Sequence, residues 1–262
     1  MSYSTIAVEV ADGVARVTLN RPASFNAMNL EMCRELAALA LDCQERDDIR
    51  VVLVTGAGKA FCAGGDLAAF RAQGDGLTRH VKEMATVLHV ALSRFARMEA
   101  PLLAAVNGVA AGAGFSLVTA SDLVVAAEGA RFTMAYTRAG LSPDGSSTWY
   151  LPRIVGLRRA MEMALMNPVL SAEEAKAWGL VNKVVPDGEC LAEAEKLARG
   201  LAEGPPRAYG AVKKLLALSL DSSLESQLER ETHYIAEMTR TADAREGIAA
   251  FLEKRKPTFT GR

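Results

Sequence analysis

The chain has 262 residues, and its 30 Lys and Arg against 31 Asp and Glu give a formal net charge of −1, which supplies no general field toward nucleic acid or an anionic membrane. Half of the residues are hydrophobic, 6% are aromatic and 21 are glycine, a balance that fits a packed globular chain and excludes a disordered or collagenous one. The cysteines Cys33, Cys43, Cys62 and Cys190 are scattered, with no CxxC pair and no clustered histidines, which excludes a disulfide scaffold and leaves no expected metal site.

Two alternating β-rich runs, 6–10 and 14–19, flank Asp12-Gly13, a dipeptide suited to a tight hairpin turn. After a loop holding Pro22, the apolar residues Leu30, Cys33, Leu36, Leu39 and Ala40 recur at helical spacing over 29–42. Residues 51–55 read as a buried strand, and the following GAGKAFCAGGD as a loop, too rich in glycine for a regular element. A helix is expected over 80–97 and a strand over 102–106; the glycine-rich NGVAAGAG then precedes an apolar segment at 115–120. Strands at 123–127 and 131–134, a loop at 140–145, a helix at 157–166 and a strand at 181–185 continue the alternation.

Strand, glycine-rich turn and helical sequence follow one another twice, which predicts an α/β core over 1–200. Past Gly204-Pro205-Pro206 the strand pattern stops. Helices are expected there over 209–220, 224–239 and 242–254, so that 201–262 forms a helical region packed on the core or on a neighbouring subunit. No apolar run approaches the roughly 20 residues of a membrane helix, and the first residues show no secretory leader, so a cytoplasmic location is expected.

The turns Ala63-Gly64-Gly65-Asp66 and Gly112-Ala113-Gly114 each precede helical sequence and can aim free N–H groups outward from a helix N-terminus. Two such donors on one carbonyl oxygen stabilise the charge that develops there, and removing one typically costs about 10²–10³ in rate. Either turn alone reads as readily as tight packing, with Asp66 a helix cap. Asp144, within Ser142-Pro143-Asp144-Gly145, reads locally as a turn residue. His89 sits beside Leu88, Leu92 and Phe95 and reads locally as a half-exposed packing residue, while His80 and His233 have polar neighbours.

The order of Asn20-Arg21-Pro22, Asn26-Ala27-Met28, KAFCAGGDL at 59–67, NGVAAGAG at 107–114, GLSPD at 140–144, LPR at 151–153 and AFLEKR at 250–255 resembles the crotonase (enoyl-CoA hydratase/isomerase) superfamily over most of the chain. The resemblance implies a crotonase-like α/β spiral of ββα units with a helical C-terminal trimerisation region. It also implies a homotrimer or dimer of trimers acting on an acyl-CoA thioester. Coenzyme A is then part of the substrate, and no separate cofactor, nucleic-acid or membrane partner is expected. By matching position, the N–H groups of Gly65 and Ala113 form the oxyanion hole, Ala27, Ala63 and Leu67 line the CoA, and Phe251 and Lys254 lie near its phosphates.

Where hydratases of the superfamily carry two glutamates, this chain has Ser116 and Tyr136, which do not replace carboxylates in acid–base work at neutral pH. Asp144 matches the carboxylate of ring-1,2-epoxyphenylacetyl-CoA isomerase-like members, which implies an isomerase that moves a proton through Asp144. The same residue matches the nucleophile of 4-chlorobenzoyl-CoA dehalogenases, with His89 at the place of the base and Tyr136 at that of an aromatic N–H donor, which implies dehalogenation or hydrolysis as the alternative. A weakly active hydratase, or a non-catalytic acyl-CoA or RNA-binding scaffold, is the remaining alternative. The acyl pocket is expected from 70–88, where Gly74-Asp75-Gly76 reads as mobile.

Overall fold

In the computed structural model, which describes residues 3–262, the opening hairpin pairs β1 (Ile6–Ala11) with β2 (Val14–Leu19) antiparallel. α1 (Leu30–Glu45) follows; the Asn29 side chain caps it by accepting from Met32 N, and Cys33, Leu36, Leu39 and Ala40 form its buried face. The chain then runs through β3 (Val51–Gly56), β4 (Ala60–Cys62), α2 (Leu67–Arg71) and α3 (Leu77–Arg97). A second turn comprises β5 (Leu102–Val106), β6 (Val109–Ala111) and α4 (Ala113–Ala120). A third comprises β7 (Leu123–Ala127), β8 (Arg131–Thr133), α5 (Ser147–Val155) and α6 (Leu157–Met166). β9 (Leu170–Ser171), α7 (Ala172–Ala177), β10 (Lys183–Val185) and α8 (Cys190–Ala202) come next, and α9 (Pro206–Ser219), α10 (Leu224–Met238) and α11 (Ala242–Leu252) end the chain.

Each turn gives one strand to a large sheet, ordered β1-β2-β3-β5-β7-β10, and one to a small sheet, ordered β4-β6-β8-β9, before a helix closes it. All neighbours beyond the hairpin are parallel in the large sheet. A parallel sheet covered on both faces explains why β3 and β5 are buried along their whole length. Val52, Val54, Leu102 and Ala104 face the core shared with α1 and α3. The alternate residues Val51, Leu53, Leu103 and Ala105 meet α8 through Cys190, Ala194, Ala198 and Ala202, small side chains that let the helix approach closely.

Four expectations are corrected. The segments GAGKAFCAGGD and NGVAAGAG, read as turns, hold the strands β4 and β6, because these pair with each other and β6 with β8, a remote partnership that local composition does not reveal. Gly74–Gly76 forms a 3-10 turn leading into α3, which starts at Leu77 rather than at residue 80. α5, α7 and α8 add to the expected helices; α5 contains Pro152 and α7 has only 6 residues, both weak helical signals. His80 packs edge-on against Phe70 at 6.1 Å between ring centroids rather than in polar surroundings.

Lys213 joins the C-terminal helices to the core, binding Asp122 at 2.8 Å and the carbonyl oxygens of Phe95 and Ala100 at 2.9 and 3.0 Å. All four cysteines are buried free thiols. Among the described residues, no helix is long and apolar enough to cross a membrane.

Candidate active site

The two glycine turns lie against each other. Gly64 and Gly112 have φ of +104° and +50°, and a Cβ on Gly112 would stand 3.3 Å from Gly64 Cα. A side chain at either position would therefore meet both an unfavourable backbone region and the facing turn. Gly65 and Ala113 are the next residues along, so the two turns that carry their amides are in contact.

Both amides are free among the described residues. Met28 bridges the Gly65 segment in parallel fashion, its N–H donating to Gly64 O at 2.7 Å and its carbonyl accepting from Asp66 N at 2.8 Å. That pattern turns the Gly65 N–H away from Met28. Ala113 opens α4, whose first-turn N–H groups have no partner within the helix, and Gly112 caps it. The positive end of the α4 dipole thus adds to the two amides. Asp66 caps α2 through Ala69 N at 3.0 Å and binds Arg21 at 2.9 Å, so the cap and the turn are one assembly.

Asp144 lies over the first turn of α4. Ser116, three residues beyond Ala113, has its hydroxyl 2.9 Å from Asp144 O, so the Asp144 backbone meets α4 within its first turn. Tyr136 donates to Asp144 Oδ1 at 2.7 Å, and its hydroxyl oxygen is 2.8 Å from Ser116 Oγ. Burial, with the charge of Asp144 adding to it, pushes the Tyr136 phenol far above its ordinary range, so it stays a hydrogen-bond donor. The Asp144 side chain keeps 29% of its surface open, enough to meet a ligand.

His89, on α3, reaches the same loop: its Nε2 accepts from Gly145 N at 3.1 Å and stands 3.9 Å from Asp144 Oδ2. Phe70 and Met84 lie against Gly65, with Phe70 Cζ 3.1 Å from where a Cβ would be, so the segment expected to shape the acyl pocket does border this amide. Ala27 is nearly buried, its carbonyl accepting from Arg21, while Ala63 and Leu67 are exposed at the rim of the Gly64–Gly65 turn. Phe251 and Lys254 lie elsewhere, at the end of α11; Phe251 is 83% exposed and borders an apolar cavity of about 390 Å³ with Ala208, Ile248 and Phe259.

Arg21, Asn26 and Ser116 carry the site's framework. Arg21 and Asn26 belong to Asn20-Arg21-Pro22 and Asn26-Ala27-Met28, but their long-range bonds have no local signature in the sequence.

The sequence model of the family described as Enoyl-CoA hydratase/isomerase matches residues 9–262. A probable enoyl-CoA hydratase of Rhodobacter capsulatus is 45% identical over 262 residues, all of both chains. The 1,2-epoxyphenylacetyl-CoA isomerase of Escherichia coli is 42% identical over 257 residues, 97% of each chain. A 4-chlorobenzoyl coenzyme A dehalogenase of an Arthrobacter species is 35% identical over 250 residues, 95% of this chain and 91% of that one. The crystal structure of an enoyl-CoA hydratase from Polaromonas superposes with a TM-score of 0.93 at 35% identity, covering 97% of this chain and 99% of that one.

Proposed function

The chain belongs to the enoyl-CoA hydratase/isomerase family, with the crotonase fold and an activity of that type, and we propose that within it this protein is an acyl-CoA isomerase. The amides of Gly65 and Ala113 hold the thioester oxygen. Asp144 takes a proton from one carbon of the acyl group; the electron pair of the broken C–H bond moves toward the thioester carbonyl, and the enolate oxygen is stabilised by both amides. Asp144 then returns the proton to a different carbon, and the pair flows back. The observation that carries this reading is the open Asp144 carboxylate, held by Tyr136 over the first turn of the helix that starts with Ala113.

Hydration is disfavoured because the positions of the two hydratase glutamates hold Ser116 and Tyr136, both engaged with Asp144. Ala27, Ala63 and Leu67 line the CoA; Phe251 and Lys254, which lie apart from that rim within one chain, reach its phosphate end only across a subunit contact. The assembly is a homotrimer or a dimer of trimers, and the buried free thiols suit a reducing cytoplasm.

Asp144→Asn tests the reading. Acyl-CoA affinity is expected within a few-fold of the parent while turnover falls about 10²–10⁴-fold, the range for losing a positioned acid–base group. An unchanged kcat would remove Asp144 from the chemistry.

A second reading is favoured by one contact, the 3.9 Å between His89 Nε2 and Asp144 Oδ2: Asp144 attacks a halogen-bearing ring carbon of an aryl-CoA, halide leaves with the electron pair of the broken C–halogen bond, and water activated by His89 hydrolyses the aspartyl ester. A single turnover in ¹⁸O-water separates the two, because hydrolysis of an aspartyl ester at its carbonyl leaves label in Asp144 and proton transfer leaves none.

A further inference from the structure

Three hydroxyl groups surround Asp144, and counting their protons fixes the direction of their hydrogen bonds. Tyr136 gives its proton to Asp144 Oδ1 at 2.7 Å. Its oxygen is 2.8 Å from Ser116 Oγ, a separation that two hydroxyl oxygens hold only with a proton between them. The Tyr136 proton is committed, so the bridging one belongs to Ser116. Ser116 Oγ also lies 2.9 Å from Asp144 O and 3.3 Å from Gly112 O, yet neither carbonyl depends on it. Ser147 Oγ donates to Asp144 O at 2.9 Å, and Ser116 N donates to Gly112 O at 2.9 Å. The chain therefore runs from Ser116 to Tyr136 to Asp144 Oδ1.

We propose that Ser116 is a positioning residue which, acting through Tyr136, holds Asp144 Oδ1 and leaves Oδ2 as the oxygen that exchanges a proton with substrate. The assignment rests on the proton-transfer reading of Asp144 and adds to it which oxygen reacts and what holds the other. Each link polarises the next, so Tyr136 is a stronger donor with Ser116 behind it than without.

The other titratable groups facing Asp144 leave Oδ1 to this chain. His89, from α3, stands nearer Oδ2, and its Nε2 is occupied by Gly145 N. Cys33, from α1, has its thiol pushed up to about 12 by burial, with the charge of Asp144 adding to it, and so remains neutral. No substrate group is needed to complete the arrangement, so the ligand-free protein already carries it.

The test is a carbon-13 titration of the ligand-free full-length protein labelled at aspartate carboxyls, with the Asp144 resonance identified by its absence from Asp144→Asn. Tyr136→Phe removes the donor to the carboxylate and is expected to raise the Asp144 midpoint by about one pH unit; Ser116→Ala is expected to raise it by about half that. The double variant should lie no higher than Tyr136→Phe alone, because Ser116 acts only through Tyr136. The acid limb of kcat/KM should move to higher pH in the same order.

An unmoved midpoint in Ser116→Ala, or shifts that add in the double variant, overturns the proposal. Should Ser116→Ala fail to fold, Ser116→Cys, which keeps a weak donor, carries the test with the same sign. The titration does not depend on turnover. Full activity in Asp144→Asn would therefore defeat the isomerase reading, whereas additive midpoints with an inactive Asp144→Asn would defeat the Ser116 assignment alone.

Discussion

At Nε2, His89 is an acceptor. The Gly145 N–H donates to it, so in the neutral ring the proton sits on Nδ1 and the nitrogen nearest Asp144 has no free lone pair for a water molecule. Acting as a base would require releasing Gly145, a bond worth about 0.5–1.5 kcal/mol. The side chain thus holds the loop that carries Asp144. His89→Ala is expected to lower kcat/KM about tenfold, equivalent to ~1.4 kcal/mol, and His89→Gln, whose amide oxygen also accepts, to recover part of that loss. Steady-state kinetics on an acyl-CoA substrate decide between this and the base role, for which the loss would be about 10²–10⁴-fold in both variants.

The elements that place the site are tied together by the loop between β2 and α1. Asn26 is buried with φ of +57°; its Oδ1 accepts from Arg21 N at 2.9 Å, and its Nδ2 donates to Ala57 O and Ala60 O at 2.9 and 2.8 Å. Arg21 reaches on to Asp66 beside the Gly65 amide. Removing the amide leaves two carbonyls and one N–H without these bonds at a buried position. Asn26→Ala is therefore expected to lower the unfolding free energy by about 2–4 kcal/mol, measured by urea denaturation, and to slow turnover by loosening the Gly64–Gly65 turn. A loss under about 1 kcal/mol would mean that water replaces the side chain's partners.

Elements with a single apolar face, such as α1 and α3, were readable from periodicity because one helix face meets one core. The glycine turns were readable as possible anion sites from residue type. β4 and β6 were not, since a three-residue strand is defined by its partner rather than by its own pattern. The resemblance supplied Asp144, but the Ser116–Tyr136 pairing and the His89–Gly145 bond join residues 20 and 56 positions apart and exist only once the fold has formed.

For the whole molecule, the decisive feature is the amount of apolar surface left open by one chain. Leu157, Met161 and Leu165 fall at i, i+4 and i+8 on α6, and each is more than half exposed, as are Leu224, Leu228 and Ile235 on α10 and Phe251 and Leu252 on α11. Single exposed apolar residues are ordinary, but groups of them on three helices call for a partner surface. Covering the open half of one such side chain contributes roughly 1–2 kcal/mol, so the three on α6 give about 3–6 kcal/mol against an association cost of about 4–15 kcal/mol, and the apolar residues of α10 and α11 add to that sum. The proposed homotrimer should consequently be sensitive to a local change. Met161→Lys with Leu165→Lys removes two apolar contacts and demands the burial of two charges, which in sedimentation velocity is expected to convert a trimer or its double into monomers at micromolar concentration. Because the substituted positions lie outside the Gly65, Ala113 and Asp144 cluster, any accompanying loss of acyl-CoA affinity would reflect the missing neighbour. A parent protein that sediments as a monomer at tens of micromolar would defeat the trimer, and an unaltered mass in the double variant would move the contact from α6 to the C-terminal helices.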